Sequence, residues 1–360
     1  MIPFANPSLR FQQFENRLNQ SFSEVLNSGQ LILGNQVEKF ESNFSQYIGT
    51  NYCIGVNSCT DAITLSLKAS NINSGDEVIT TGLTAPATAI GIINSGATPV
   101  IVDIENNTHC IDINAIEDAI SEKTKAIIPV HLHGFPADMP AIKEIAKNHN
   151  LIVIEDCAQA HGATINGQKV GSIGHFGVFS FYPTKNLGCP GDGGAISTND
   201  VRAAEYIKTL RNYGIKDNRI TNTGLNSRLD EVQAAILGVL LPELNDHNAT
   251  RRMYARKYIA ELESMDITLP VSSEDAVYHQ FVIKVKNRDR VRQQLLGMGI
   301  ATGIHYDKSL KYHPALANYC KELPIAHKAC NEMISLPIQP EILDNHFDEI
   351  ISALKTVLVG

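Results

Sequence analysis

The chain has no block of basic residues, no Cys-x-x-Cys pair, no repeat or low-complexity segment, and no uncharged apolar stretch of about 18 residues. Each absence removes a class of function. A binder of nucleic-acid backbones needs a basic patch, and here 30 Lys and Arg stand against 38 Asp and Glu for a net charge of -8, which argues against a nucleic-acid partner. The lack of an apolar span argues against a membrane protein. Met1-Ile2-Pro3-Phe4-Ala5-Asn6-Pro7 lacks the cationic and apolar regions of a signal peptide, so a cytoplasmic location is expected. The cysteines, at positions 53, 59, 110, 157, 189, 320 and 330, are scattered and odd in number, as for reduced thiols rather than a disulfide framework or a zinc ribbon. Conventional phosphate fingerprints are also broken. Gly162 to Gly167 has the Walker spacing but continues Gln168-Lys169, and Gly171, Gly174 and Gly177 are wrongly spaced for a dinucleotide site.

What is present is globular. Of 360 residues, 43% are hydrophobic and 19% charged, and this length predicts two domains, placed at 1–245 and 246–360. From Cys53 to Thr198, short β-branched runs alternate with helical patterns, the signature of a mainly parallel sheet covered by helices. Strands are predicted at Tyr52–Val56, Glu77–Thr80, Thr98–Val102, Ala126–Val130, Leu151–Glu155, Val178–Phe181 and Gly194–Ser197. Helices are predicted at Asp61–Ala69, Ala87–Ser95, Ile113–Ala119 and Met139–Asn148, with an N-terminal helix, Ser8–Ser28, outside the sheet. Beyond Asp230 the pattern is a helix to Pro242, a helix Arg251–Leu262, a strand Tyr278–Val285, a helix Arg288–Met298, a strand around Ile300–Tyr306 and a terminal helix Leu343–Leu358. This reads as a smaller C-terminal α/β domain. The stretch Tyr213–Leu229 has no clear element and is long enough to be functional.

Several clusters carry chemistry. Ser58-Cys59-Thr60-Asp61, between a strand and a helix, serves either as a helix cap or as a phosphate cradle. Asp156 follows the apolar run Leu151–Ile154 and so lies at the carboxyl end of a buried strand, where open α/β sheets bind ligands, with Gln159 within one turn of it. Lys185 lies in Phe179-Ser180-Phe181-Tyr182-Pro183-Thr184-Lys185-Asn186-Leu187-Gly188, followed by Gly191-Asp192-Gly193-Gly194. It is either a solvated loop lysine or, where desolvated, a Schiff-base amine. A strand-end carboxylate, a hydroxyl-rich helix start and a sequestered lysine together match the needs of pyridoxal phosphate. His131-x-His133 offers two imidazoles at a strand end. Polar residues at a sheet edge are the preferred reading over a metal site, because no nearby carboxylate or cysteine completes a ligand set.

Over nearly its whole length the chain resembles the DegT/DnrJ/StrS sugar aminotransferases, which are fold type I pyridoxal-phosphate enzymes. The matching stretches include Gly34-x-x-Val37-x-x-Phe40-Glu41, Gly75-Asp76-Glu77-Val78-Ile79, Glu155-Asp156-Cys157-Ala158-Gln159-Ala160-His161-Gly162, Ser180 to Gly194, Arg211-Asn212-Tyr213-Gly214, Asn226 to Ala235 and Gly303-Ile304-His305-Tyr306. The resemblance implies a fold type I architecture, with a large cofactor domain and a small C-terminal one. It also implies that Lys185 forms the internal aldimine with pyridoxal 5′-phosphate, that Asp156 pairs with the pyridine nitrogen and that Gln159 approaches the ring hydroxyl. Cys59, through its backbone N–H, with Thr60 and Ser180, occupies the phosphate positions. Asn226 matches an asparagine that the neighbouring subunit supplies, which implies a homodimer with shared active sites. Tyr182, Tyr213, His305 and Tyr306 fall where the family contacts the nucleotide sugar, and Arg228 belongs with them in the Asn226 loop.

The chain departs from the family pattern at Thr84-Ala85-Pro86-Ala87-Thr88, where Ala85 replaces the usual aromatic residue over the cofactor ring, so that Pro86 or another residue covers that face or the pocket is roomier. The implied reaction moves an amino group from L-glutamate, released as 2-oxoglutarate, to a nucleotide-linked keto-sugar in deoxyamino-sugar biosynthesis, with pyridoxamine 5′-phosphate formed between the halves. C3 of a dTDP-3-keto-6-deoxyhexose is the preferred acceptor, ahead of a UDP-linked 3-keto or a 4-keto sugar. A sugar dehydratase of the same fold would carry histidine in place of Lys185. A regulatory role without catalysis is the remaining alternative.

Overall fold

Five-residue runs such as Thr98-Pro99-Val100-Ile101-Val102 and Ile152-Val153-Ile154-Glu155-Asp156 are buried from their second residue onward, as strands covered on both faces must be. The computed structural model describes residues 1–359 and gathers seven such strands into one sheet: β1 (Tyr52–Val56), β2 (Glu77–Thr81), β3 (Thr98–Val102), β4 (Thr124–Ile128), β5 (Ile152–Asp156), β6 (Phe176–Ser180) and β7 (Gly194–Thr198). Their spatial order is β1-β7-β6-β5-β4-β2-β3. The fold is thus α/β with a mainly parallel sheet. Only β7 runs against its neighbours, pairing antiparallel with both β1 and β6.

That reversal has a local cause. Parallel neighbours need a helical crossover, whereas the connection from Ser180 to Gly194 carries no helix, so the chain turns back beside β6 with Ser180 opposite Gly194. The loop holding Lys185 therefore sits at the carboxyl end of the parallel strands. Helices Cys59–Ala69, Ala87–Ser95 and Met139–His149 supply crossovers. The first is capped by the Ser58 side chain, which accepts from the Asp61 N–H at 3.1 Å, and the last has Pro140 in its first turn and left-handed Asn150 at its end.

Some expected bounds shift. β4 starts at Thr124, opposite Glu77, and stops before Pro129, which has no N–H to give a ladder, so the Ala126–Val130 expectation is two residues late. The N-terminal helix is broken at Phe14 into Pro7–Gln13 and Glu15–Ser28; the latter packs on helix Glu231–Leu240, outside the sheet as expected. A strand around Ile300–Tyr306 does not form. That segment makes only isolated bridges, Ile2 with Ile300 and Gly303 with Ser335, while β8 (Phe281–Lys284) pairs antiparallel with β9 (Met333–Leu336). Within Tyr213–Leu229 an exposed two-rung hairpin pairs Ile215–Lys216 with Arg219–Ile220.

Helix Leu244–Leu262 leads into the C-terminal part, whose core joins that of the sheet. Ile79, Val100 and Ile127 of the sheet share one buried cluster with Tyr258, Phe281, Ile334 and Leu354. Burial of this kind contributes roughly 1.5–3 kcal/mol per large apolar side chain, so the sheet and the C-terminal elements are held together strongly. No helix among the described residues is long and apolar enough to cross a membrane.

Candidate functional site

Asp156 ends β5 and is only 4% exposed, which for a carboxylate requires donors. It has three. Thr88 Oγ1 donates to Oδ2 at 2.9 Å, the Ala158 N–H donates to Oδ1 at 3.1 Å, and Cys59 Sγ lies 3.9 Å from Oδ1. Burial nevertheless raises the Asp156 pKa, against the pull of the Ala158 N–H, Thr88 and Lys185. Lys185 is shifted the other way. Desolvation lowers its pKa, while Asp156 and Cys59 hold it up. Lys185 as a residue keeps some exposure, yet its amine makes no hydrogen bond among the described residues. The two groups feel each other's charge without forming an ion pair within 4.0 Å. A buried amine and a buried carboxylate under each other's charge are the two groups that an aldehyde with a basic ring nitrogen needs. The residues therefore fit pyridoxal phosphate.

The residues expected at the phosphate converge from three segments. Helix Cys59–Ala69 starts at the carboxyl end of β1, and Ser180 ends β6 beside it. Gly194 makes the approach possible, since a Cβ there would lie 2.5 Å from the Ser58 carbonyl carbon and 2.8 Å from Cys59 N. Thr60 is half-buried in the helix's first turn. The Ser180 hydroxyl accepts from the Tyr182 N–H at a long 3.4 Å. Free N–H groups at a helix start and two hydroxyls suit a phosphate.

Gln159 is fixed from both ends. Its Oε1 accepts from the His133 N–H at 2.7 Å, and its Nε2 donates to Tyr306 Oη at 3.0 Å. Tyr306 thus reaches in from the C-terminal part, packed against the cluster that holds Leu83 and Ala89, and burial pushes its pKa to about 12. His305, next to it, bonds Ser335 Oγ through Nδ1 at 2.9 Å and lies 5.3 Å from the Phe4 ring.

Tyr182 and Tyr213 are half-exposed, at 53% and 45%, and Tyr213 has a left-handed φ of 60°. Arg228 lies over the Tyr213 ring at 5.5 Å and donates to Asn212 Oδ1 at 3.0 Å, so these two expected contacts are neighbours. Asn226 is exposed and makes no side-chain hydrogen bond among the described residues. Its neighbour Ser227 anchors the loop beside helix Cys59–Ala69 of the same chain, donating to Asp61 Oδ2 at 2.7 Å and accepting from Asn57 N–H at 3.1 Å. Ala85 and Pro86 are both half-buried ahead of helix Ala87–Ser95.

The expectation for His131 and His133 needs correction. They do not share a face of a sheet edge, and a carboxylate is present. His131 is fully buried and donates through Nε2 to Glu155 Oε2 at 3.2 Å, its Nδ1 accepting from the Ala137 N–H at 2.9 Å, with Cys157 close by. Glu155 Oε1 also accepts from the Ile173 and Gly174 N–H groups at 2.8 and 2.7 Å. These partners account for the cluster as a hydrogen-bonded support under Asp156. His133, at φ 59°, turns away to bond Gln280 at 2.8 Å. Thr88, Arg10 and the His133 backbone were not singled out from sequence. Thr88 lies in the quoted Thr84–Thr88 segment, whereas nothing local marks Arg10.

Buried imidazoles make stability pH-dependent. Desolvation holds His109 and His305 down to about 4 and His161 to about 3, from an ordinary 6.5. Between those limits the unfolded chain binds more protons than the folded one, so stability present above pH about 6.5 is lost as pH falls toward 4, by up to about 1.4 kcal/mol per pH unit per group. Asp156, raised by burial, acts in the opposite sense but is a single group. Urea midpoints should fall steadily from pH 6.5 to 4.5, and less steeply in His161→Phe; a flat profile in the parent protein contradicts the assignment.

Comparison with known proteins agrees with this geometry. The family described as DegT/DnrJ/EryC1/StrS aminotransferases matches residues 12–355. The dTDP-3-amino-3,6-dideoxy-alpha-D-galactopyranose transaminase of Aneurinibacillus thermoaerophilus is 44% identical over 99% of both chains. The UDP-N-acetyl-3-dehydro-alpha-D-glucosamine 3-aminotransferase of Acidithiobacillus ferrooxidans is 40% identical, covering 100% of this chain and 98% of its own. The crystal structure of S. venezuelae DesV in complex with a ketimine intermediate superposes with a TM-score of 0.96 at 38% identity, covering 99% of this chain and 98% of that one. With a buried lysine amine and carboxylate near enough to feel each other's charge at the carboxyl end of the sheet, and with similarity along the whole length, the chain belongs to the DegT/DnrJ/EryC1/StrS aminotransferase family, a family of pyridoxal-phosphate enzymes.

Proposed function

We propose that the protein transfers the amino group of L-glutamate to C3 of a dTDP-linked 3-keto-6-deoxyhexose. The observation that carries this is the 44% identity, end to end, with a dTDP-3-amino-sugar transaminase, joined to the buried, electrostatically linked Lys185 amine and Asp156 carboxylate. A UDP-linked 3-keto sugar is the second reading, favoured by the 40% identical UDP-sugar relative. Retention of Lys185 disfavours the dehydratase, and the complete set of cofactor residues disfavours a purely regulatory role.

Pyridoxal phosphate, when bound, supplies a carbonyl carbon that amines attack and a ring that takes up the electron pair left by a departing proton. In this reading Asp156 keeps a proton on the pyridine nitrogen, and Thr88 and the Ala158 N–H hold its carboxylate in place. Lys185 would anchor the cofactor through its amine and, when that amine is free, would carry the proton away from the donor Cα. Its depressed basicity suits an amine that must be neutral to act. Gln159, clamped by His133 and Tyr306, presents its amide to the ring hydroxyl. Cys59 N–H, Thr60 and Ser180 hold the phosphate. Tyr182, Tyr213, Arg228, His305 and Tyr306 would contact the sugar, and Ala85 would stand where the family places a residue beside the cofactor.

Addition of L-glutamate to protein carrying pyridoxal phosphate should bleach its visible band, and addition of the correct keto-sugar should restore it. A panel of dTDP- and UDP-linked 3-keto and 4-keto sugars assigns the acceptor, and restoration only by a 4-keto sugar overturns the C3 reading.

The homodimer is part of the same proposal. Phe22, Leu26, Leu31 and Ile32 are 43–53% exposed, an apolar stripe that a single chain leaves uncovered. Ile32 also bridges Asp230, at the end of the Asn226 loop. Subunits of Lys185→Ala refolded with subunits of Asn226→Asp should regain activity, because a mixed dimer with shared sites has one site free of both lesions. Sedimentation as a monomer, or activity no greater than in the separate refolded variants, refutes sharing of sites through Asn226.

A further inference from the structure

Arg10 lies on helix Pro7–Gln13, far along the chain from Lys185, yet its guanidinium is inserted under the loop that carries the lysine. Arg10 is 7% exposed. Its Nη1 donates to the carbonyls of Lys185 and Asn186 at 3.0 and 2.9 Å, and its Nη2 to those of Pro183 and Gly188 at 3.0 and 3.4 Å. Among the described residues no carboxylate pairs with it within 4.0 Å, and Glu341 acts on it only through space. Four carbonyls from six consecutive residues thus converge on one cation.

Carbonyl oxygens turned toward a single point repel one another unless a donor sits among them. A planar fork meets two pairs of acceptors at once, as a point-like ammonium does not. The loop's other ties do not use these four carbonyls. The Lys185 N–H donates to Tyr182 O at 2.9 Å, the Cys189 N–H to Phe181 O at 2.8 Å, and Asn186 Nδ2 to Asn248 Oδ1 at 2.9 Å and Val277 O at 3.0 Å. None of these fixes the Lys185 carbonyl, on which the direction of its Cα–Cβ bond depends. We infer that Arg10 is a positioning residue for Lys185: by gathering the carbonyls of Pro183, Lys185, Asn186 and Gly188, it sets the backbone from which the amine reaches the cofactor. This rests on the reading of Lys185 as the cofactor-bearing lysine.

The test uses Arg10→Ala and Arg10→Lys in the full chain. Misplacing a reacting group by about 1 Å costs on the order of 10²-fold in rate. Attachment of pyridoxal phosphate, followed by the growth of its visible band, should slow by about that factor in Arg10→Ala, with kcat reduced and the KM for glutamate nearly unchanged. Guanidinium ion well below denaturing concentration should restore attachment, where sodium at equal ionic strength does not, and Arg10→Lys should fall between. Attachment by Arg10→Ala at the parent rate overturns the inference, and so does a slow variant that neither guanidinium nor lysine improves. If Arg10→Ala does not fold, Arg10→Lys decides, and attachment at the parent rate overturns the inference. Failure of the parent protein to give any visible band refutes the reading of Lys185 instead. The clamp is then still tested without cofactor by hydrogen exchange at the Lys185 and Cys189 amides, which should quicken in the variant; unchanged exchange overturns it.

Discussion

Replacing Lys185 with alanine will leave a folded protein whose transamination rate is lower by about 10⁴-fold or more, since covalent anchoring and proton transfer are lost together. That is a barrier increase of about 5.5 kcal/mol. Lys185 makes no side-chain hydrogen bond among the described residues, and its charge is opposed by burial, so its removal takes no structural bond with it. The thermal midpoint should stay the same or rise. Single-turnover kinetics with glutamate and pyridoxal phosphate check the rate, and calorimetry checks the fold. Near-parental turnover in the variant would falsify the role given to Lys185.

Asp156→Asn is expected to slow both half reactions by about 10³-fold, or about 4 kcal/mol, while cofactor affinity changes little. An amide matches the carboxylate in shape and still accepts from the Ala158 N–H. Its NH₂ can donate to Thr88 Oγ1, which already has Thr88's neighbour Thr84 Oγ1 within 3.2 Å. What it cannot do is hold a pyridinium proton by charge. Because burial already penalises the ionised carboxylate, the variant should be no less stable than the parent. Rapid-mixing measurement of each half reaction decides the matter, with unaltered rates in both showing that Asp156 is not the partner of the ring nitrogen.

Much of this site was legible one residue at a time. Leu151 to Ile154 is an apolar run too short and too β-branched for a helix, so Asp156 had to fall at a strand end, and ligands gather at the carboxyl ends of such strands. Lys185 stood out through its aromatic and glycine-rich neighbours. Partners distant in sequence were not legible. Thr88 meets Asp156 across 68 positions, Gln159 meets Tyr306 across 147, and Arg10 meets the lysine loop across more than 170. No periodicity encodes those meetings. The error at His131 has the same origin, since Glu155 lies 24 positions away and becomes its neighbour only when β4 and β5 pair.

Local residue preferences by themselves determined most strands of the central sheet and the helices that cover it, though not the strand Met333–Leu336 in place of one around Ile300–Tyr306, and they determined that the sheet is mainly parallel and that an acid and an amine suited to pyridoxal phosphate occupy strand ends and loops. Only the tertiary structure decided that β1 pairs with the far side of β7, that β8 takes Met333–Leu336 as its partner, and that a guanidinium from the N-terminal helix gathers the carbonyls around Lys185. The physical reason is that turn chemistry and side-chain periodicity act over a few residues, whereas sheet order and buried polar pairing depend on which distant backbone satisfies which hydrogen bonds once the core has closed.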